Sequence, residues 1–438
     1  MPVPNSIVPS TRWPLALAAQ WSAAIVSAAI SIALLVWLAR TMDARDFVRY
    51  SSALSAALVA LALIEGGWSA LIYREHSGRH DARALMGLRA AALAHAFFVA
   101  SLSAFALWAV TRELRLALAA ALCMLTVALM NHRSVLLRSQ QRFGAEAGWQ
   151  LLGRLLSAVV IMVAVSRLGG SADWVFLAWA GSLGLIVVLS VGQWGTAPSW
   201  ADAKRWYPQA TLILIADVCF VALLKGDLVW LSTTAQWGVP AASESVLKSY
   251  AACVRWVEGA LLLIAPLSNV VVARLRTNRL AADPSTASAA RSTNDAQRAE
   301  SKAAFRWVAI GAGICAAFGA LCWVAARAGG EAAVTAAFGT AYVGAGTWMP
   351  VVALPLPMAC ANLVMFQAVL AVASGRDLAR AAAAGLASFV VAAILLLFMK
   401  YGAVGVAVAA AVGQSVLLFC LVKMFNRHRL AARSVGAL

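Results

Sequence analysis

Eight ionisable side chains sit where the flanking sequence is almost wholly apolar: Glu65, His95, Arg154, Asp217, Lys225, Asp227, Arg255 and Glu258. Arg133 lies closer to the end of its apolar run. An ionisable group in hydrocarbon costs at least ~2.5 kcal/mol on insertion scales, so such groups face a cavity or a partner. Spacing sorts them into two levels. At 1.5 Å per residue, Lys225 and Asp227 fall about 12–15 Å below one end of their apolar run, and Arg255 and Glu258 about 14–18 Å into the next. These four share one level on two successive antiparallel helices, with Arg255 and Glu258 on one face at i, i+3. They read either as salt bridges locking the two helices or as the wall of a polar cavity. Glu65, Arg154 and Asp217 lie about 13 Å from the opposite ends of their runs and form the second level. The two acids there are either satisfied by an Arg or Lys or bind a coupling cation, a proton or Na+. His95, a lone imidazole on an apolar helix, reads as a satisfied core residue rather than a proton relay.

Nothing in this set is enzymatic. No P-loop, HExxH, DxD or GxSxG motif occurs in a suitable setting, so no catalytic residue and no metal ligand is assigned. The seven cysteines all fall in apolar stretches without a CxxC, and their odd number gives no disulfide framework. They read as small buried hydrophobes.

The elements that position these charges are membrane spans. The chain has 438 residues, 63% hydrophobic and 12% charged, with a mean hydropathy of +0.82. Soluble domains are about a quarter charged, so the net charge of +17 belongs to loops between apolar spans and not to a soluble nucleic-acid binder. Apolar runs occur near 14–39, 48–73, 84–110, 114–137, 145–166 and 172–192. Six more follow near 208–235, 246–273, 305–326, 346–374, 378–399 and 403–425, and the tenth, with Pro350, Pro355 and Pro357, should be kinked or re-entrant. With the N-terminus placed inside, 23 of the 35 Lys and Arg fall in inner segments, nine in outer loops, and three (Arg154, Lys225 and Arg255) within spans. This alternation is what the positive-inside rule predicts for an even number of spans, so both termini are placed in the cytoplasm. Trp13, Trp37, Trp108, Trp174, Trp206, Trp237, Trp307 and Trp348 lie near span ends, as interfacial anchors do.

The spans fall into two sets of six. Residues 1–13 read as a cytoplasmic N-terminus, 14–207 as one six-helix bundle, 208–426 as a second, and 427–438 as a cytoplasmic tail. The Ser-, Thr- and Ala-rich stretch 274–304 reads as a flexible cytoplasmic linker or a short surface helix. Tyr50–Arg74 aligns without gaps on Tyr250–Arg274, a weak internal repeat. Six spans per half make the repeat parallel, about an axis along the membrane normal.

The stretch from Leu34 to Glu75 resembles the first two helices of bacterial polysaccharide flippases, in the multidrug/oligosaccharidyl-lipid/polysaccharide exporter superfamily. Leu38, Ala39, Arg40, Asp46, Phe47 and Tyr50 match that family's pattern, whereas Val48 and Arg49 stand where Gly is usual. KGDLVWLS resembles the family's Asp-containing seventh helix, with its Asp at Asp227, and Tyr250 resembles the Tyr opening the eighth. Gly375, Arg376, Gly402 and Gly405 stand in segments similar to the last two helices. The resemblance implies an all-α polytopic membrane protein of about 12 transmembrane helices. It implies two six-helix bundles related by a pseudo-two-fold axis along the membrane normal, around a V-shaped central cavity. It further implies a non-enzymatic flippase of the bacterial inner membrane that moves a polyprenyl-pyrophosphate-linked oligosaccharide for surface polysaccharide synthesis. Arg154, Lys225, Arg255 and Arg133 would then bind the pyrophosphate or glycan, and Glu65, Asp217, Asp227 and Glu258 would balance the cavity charge or couple H+ or Na+. Membrane lipid, a polysaccharide polymerase and chain-length proteins are the partners implied; nucleic acid is not. A multidrug or cation antiporter of the same superfamily is the alternative, and a membrane-embedded glycan polymerase or ligase is the alternative of another class.

Overall fold

A computed structural model of the chain describes residues 13–76, 82–140, 142–190, 197–201, 203–236, 243–264 and 294–434, and almost all of them are helical. The first half comprises α1 (Trp13–Thr41), α2 (Ala44–Glu65), α3 (Trp68–His76), α4 (Ala82–Thr111), α5 (Leu114–Ser139), α6 (Phe143–Leu168) and α7 (Ala172–Leu189). The second comprises α8 (Ala203–Gln236), α9 (Glu244–Leu262), α10 (Asn294–Phe338), the single turn α11 (Met349–Val352), α12 (Leu356–Val372), α13 (Gly375–Phe398) and α14 (Gly402–Ser434).

Among the described residues nine helices are long and apolar enough to cross a membrane. Ala345–Val352 and Leu356–Ala371 meet the same length and hydropathy only as a pair, bent by 43° at the break between them, the geometry of a broken span or a re-entrant loop. The bend falls where Pro350, Pro355 and Pro357 remove backbone donors, as the sequence leads one to expect. On α10, a Cβ at Gly319 would come within 2.7 Å of the Pro357 backbone, so glycine there lets α10 lie directly against the bend. The two remaining long helices, α8 and α9, are the ones that carry Asp217, Lys225, Asp227, Arg255 and Glu258. With them the order of long helices reproduces the twelve expected crossings. The chain is an all-α polytopic membrane protein.

Some local expectations change. The run 48–73 is not one helix: it breaks at Gly66 and Gly67, both left-handed at φ +57° and +72°. The last part of the expected linker, 294–304, is the start of α10, which continues past residue 326 to Phe338. Residues 265–293, including most of that linker and the end of the eighth run, lie outside the described residues. The bundle boundary at 207 falls within the first turns of α8, beside Pro208. Trp108, near the end of α4, and Trp307, near the start of the apolar span Phe305–Phe338 within α10, are exposed, but Trp206 packs with Trp68, Leu71 and Leu88 in a small core of its own.

The helix contacts repeat between halves. In the first, α1 packs on α6, α4 on α5, α5 on α7 and α6 on α7. In the second, α8 packs on α13, α10 on α12, α12 on α14 and α13 on α14. The halves join through α2 against α8 and α1 against α9. The weak repeat in sequence has the same register in the structure. Asp43 and Ser243 cap α2 and α9, accepting from the N–H of Asp46 and Val246. Tyr50 and Tyr250 then stand at equivalent positions one turn further on.

Candidate functional site

The charges on α8 and α9 form a closed network. Lys225 Nζ donates to Glu258 Oε1 at 2.6 Å, and Arg255 Nη1 to Glu258 Oε2 at 2.5 Å. The other arm of Arg255 crosses to the first half, where Nη2 donates to the Ser51 carbonyl and, at 2.8 Å, to Ser55 Oγ. Arg255 is only 4% exposed. Lys225 and Arg255, expected as cavity cations, thus share one carboxylate, which leaves the trio one positive charge in excess, and the salt-bridge reading describes its geometry. Asp227 is not part of the trio. Residues i and i+2 project about 200° apart on a helix, and Asp227 turns to accept from Tyr250 OH at 2.8 Å. A void of about 30 Å³ lies beside Asp227, Glu258 and Gln414. That is room for about one water.

A polar cavity lies in the other half. A cavity of about 230 Å³ is enclosed by α1, α5, α6 and α7, with Leu262 of α9 at its edge. Arg154 reaches it from the middle of α6, and Asn131, Trp149 and Trp179 line it. Arg154 is solvent-accessible although it sits mid-helix. It makes no hydrogen bond or ion pair with any described residue. The cavity's one acid among the described residues, Glu146, is 3% exposed and fully engaged. Arg138 holds it through Nη2 at 2.5 Å and Nε at 2.9 Å, and Gln20 Nε2 donates at 3.2 Å. Sequence reasoning did not single out this Arg138–Glu146–Gln20 hub; a basic turn followed by Glu in the first turn of α6 is the signal that could have marked it. The net charge facing the cavity is therefore the Arg154 guanidinium. Tyr50, buried on α2, is within electrostatic range of both Arg154 and Arg255, and so stands between the two centres.

Arg133 does not reach this cavity; its side chain lies within electrostatic range of Arg89 on α4 and of Arg142. Glu65, the last residue of α2, accepts from Asn131 Nδ2 at 2.5 Å. The α8 backbone comes so close at the α2 break that a Cβ on Gly67 would meet Leu214 N at 2.9 Å. Asp217, one turn further along α8, is within electrostatic range of Glu65. Neither acid forms an ion pair with a described residue. His95 plugs the break. With the α2 helix ended at Gly66, the Leu63 carbonyl loses its helical partner and accepts from His95 Nε2 at 2.9 Å. A carbonyl can only accept, so Nε2 carries the proton and Nδ1 of the neutral ring accepts from Tyr207 OH at 2.8 Å. The imidazole is a satisfied core residue.

The two ends of the interface between the halves differ. At the end holding the 41–44 and 338–342 turns, Arg40 donates to the carbonyls of Ala336 and Ala337, both at 2.7 Å. These carbonyls end α10, where the helix dipole favours a cation. Phe47 packs there on Phe338 and Tyr342, and Trp256 edges Phe338. That end is zipped shut across the halves. The cavity lies toward the opposite end, where α1 starts and α5 turns into α6.

No protein-family model matches the chain, and no curated protein matches it. Solved structures do. The lipid II flippase MurJ, in an inward closed conformation, aligns with 94% of this chain and 90% of its own at a TM-score of 0.63 and 14% identity. An outward-facing multidrug resistance MATE transporter of the MOP superfamily aligns over 97% and 96% at 0.63 and 10%. The eukaryotic MATE transporter AtDTX14 aligns over 95% and 96% at 0.58 and 15%. At these identities the likeness is one of fold. The chain is a multi-pass membrane protein with the fold shared by MATE transporters and MurJ, and the likeness runs over nearly its whole length.

Proposed function

We propose that the protein is a flippase: it carries a polyprenyl-pyrophosphate-linked oligosaccharide from the inner to the outer leaflet of the bacterial inner membrane. The product would feed surface polysaccharide assembly, with a polymerase and chain-length proteins downstream. The single observation that carries this reading is Arg154, the uncompensated charge in a cavity whose one carboxylate is already neutralised. A pyrophosphate cannot enter a low-dielectric space unpaired. A guanidinium replaces its hydration with charge-assisted, bidentate bonds. Trp149 and Trp179 offer apolar faces for sugar rings. The closed Arg40–α10 end and the cavity toward the other end are what one state of an alternating-access cycle would have.

A cation antiporter is the second reading, and one observation favours it: Glu65 and Asp217 face each other across α2 and α8 without an ion-pair partner among the described residues. The same pair suits H+ or Na+ coupling in a flippase. Reconstitution in proteoliposomes separates the two. A flippase translocates a fluorescent polyprenyl-pyrophosphate glycan and leaves ethidium where it is; ethidium exchange for H+ or Na+ with no glycan-lipid movement would replace the proposal with the antiporter.

A further inference from the structure

The two centres leave unexplained a cluster of cations at the end of the bundle where α13 begins. We infer that this cluster, Arg380 on α13 with Lys423 and Arg427 on α14, is a binding site for the headgroup of an anionic phospholipid.

The candidate spans Gly375–Phe398 and Gly402–His428 are successive, so the start of the first and the end of the second share one membrane boundary. α13 and α14 pack along each other and leave between them, at that boundary, a recess of about 350 Å³. Lys423 and Arg427 stand at i, i+4 and so project from one face of α14. Arg380 meets them from α13, and His428 completes the rim. All three formal cations are exposed. Lys423 and Arg427 pair with no described residue.

The one acid in the recess among the described residues, Asp377, is occupied locally. Ser374 Oγ donates to its Oδ2 at 2.7 Å, and Ser374 Oγ accepts from its backbone N–H, which caps α13. Its Oδ1 lies 3.8 Å from Arg380, a loose contact on an exposed pair. The recess therefore carries a surplus of positive charge with open donors. Deeper toward the membrane its wall is Ala381 and Cys420, with Met424 level with the cations. A ring of donors at the boundary over an apolar wall matches an amphiphile whose phosphate sits at the rim and whose chain runs down between the helices. Basic pockets between transmembrane helices bind such headgroups. A soluble phosphate would use the rim and gain nothing from the apolar wall.

The test uses the full-length protein in detergent, exchanged against phosphatidylglycerol or phosphatidylcholine and read by native mass spectrometry. Wild type should retain phosphatidylglycerol in clear preference to phosphatidylcholine. Lys423→Ala with Arg427→Ala should cut that preference by about tenfold or more. Arg380→Gln alone should give a smaller loss. Removing two exposed cations elsewhere, Lys204→Ala with Arg205→Ala, should leave the preference intact. An equal loss in that control would mean diffuse charge attraction and overturn the site. Displacement of phosphatidylglycerol by millimolar inorganic phosphate would make this a free-anion site and overturn it as well. The readout does not involve glycan transport, so it stands or falls apart from the proposed flippase activity.

Discussion

Tyr50 and Tyr250 occupy the same place in α2 and α9, yet what surrounds each differs. Tyr250 donates to Asp227 beside a network in which two cations share Glu258 and almost no space remains. Tyr50 stands between that network and an open cavity in which Arg154 has no partner among the described residues. One repeated framework thus arranges its buried charges in two ways: the second half engages them in ion pairs, and the first leaves Arg154 without an ion-pair partner among the described residues. Arg255 shows where the two meet. It donates to Ser55, its own counterpart under the 200-residue offset of the repeat. In a two-fold arrangement the residues nearest the axis meet their own equivalents, so the pseudo-axis passes between α2 and α9 and Arg255 spans it.

The largest effect should come from breaking the closed half. Glu258→Ala leaves two buried cations unpaired and should cost about 3–5 kcal/mol, read as a lower unfolding midpoint in detergent. Exchanging the trio together, Lys225→Met, Arg255→Met and Glu258→Gln, should recover most of that loss; a Glu258→Ala protein as stable as wild type would remove the cohesive role. Next in size is Ser55→Ala, which takes one hydrogen bond from a buried guanidinium and should cost about 1.5–3 kcal/mol. Gly66→Ala forces a side chain into a left-handed position against His95. The same thermal assay should show about 1–3 kcal/mol of destabilisation, whereas Gly144→Ala, with open space around it, should show none. Smallest of all, Arg154→Ala should move stability by less than about 0.5 kcal/mol. A large loss there would mean that Arg154 is structural, and the contrast between the halves would fail.

Much of this arrangement is legible in the amino-acid sequence. The rise per residue puts Lys225, Arg255 and Glu258 at one level, and charge alternation orders the spans. Rotation about each helix axis is harder to read, because small errors in phase accumulate along a long apolar run. That is why Asp227 is grouped with Lys225 by depth although it faces Tyr250, and why Arg133 is grouped with the cavity although it does not line it. The break in α2 had a signal in the Gly66–Gly67 pair, but hydropathy continues across it and masks the end of the helix. The Arg138–Glu146 hub depends on α1 supplying Gln20 from more than a hundred residues away. No local pattern carries a contact of that kind.

On the proposed function, Arg154, and not the Lys225–Glu258–Arg255 trio, meets the anionic part of the substrate. Equilibrium binding of undecaprenyl pyrophosphate to the purified protein tests it directly, with wild type, Arg154→Ala and the double variant Lys225→Met, Glu258→Gln side by side. Arg154→Ala should weaken binding by about tenfold or more, the loss of a hydrogen-bonded charge, while the double variant binds as wild type does. Unchanged binding in Arg154→Ala, together with loss in the double variant, would contradict the account.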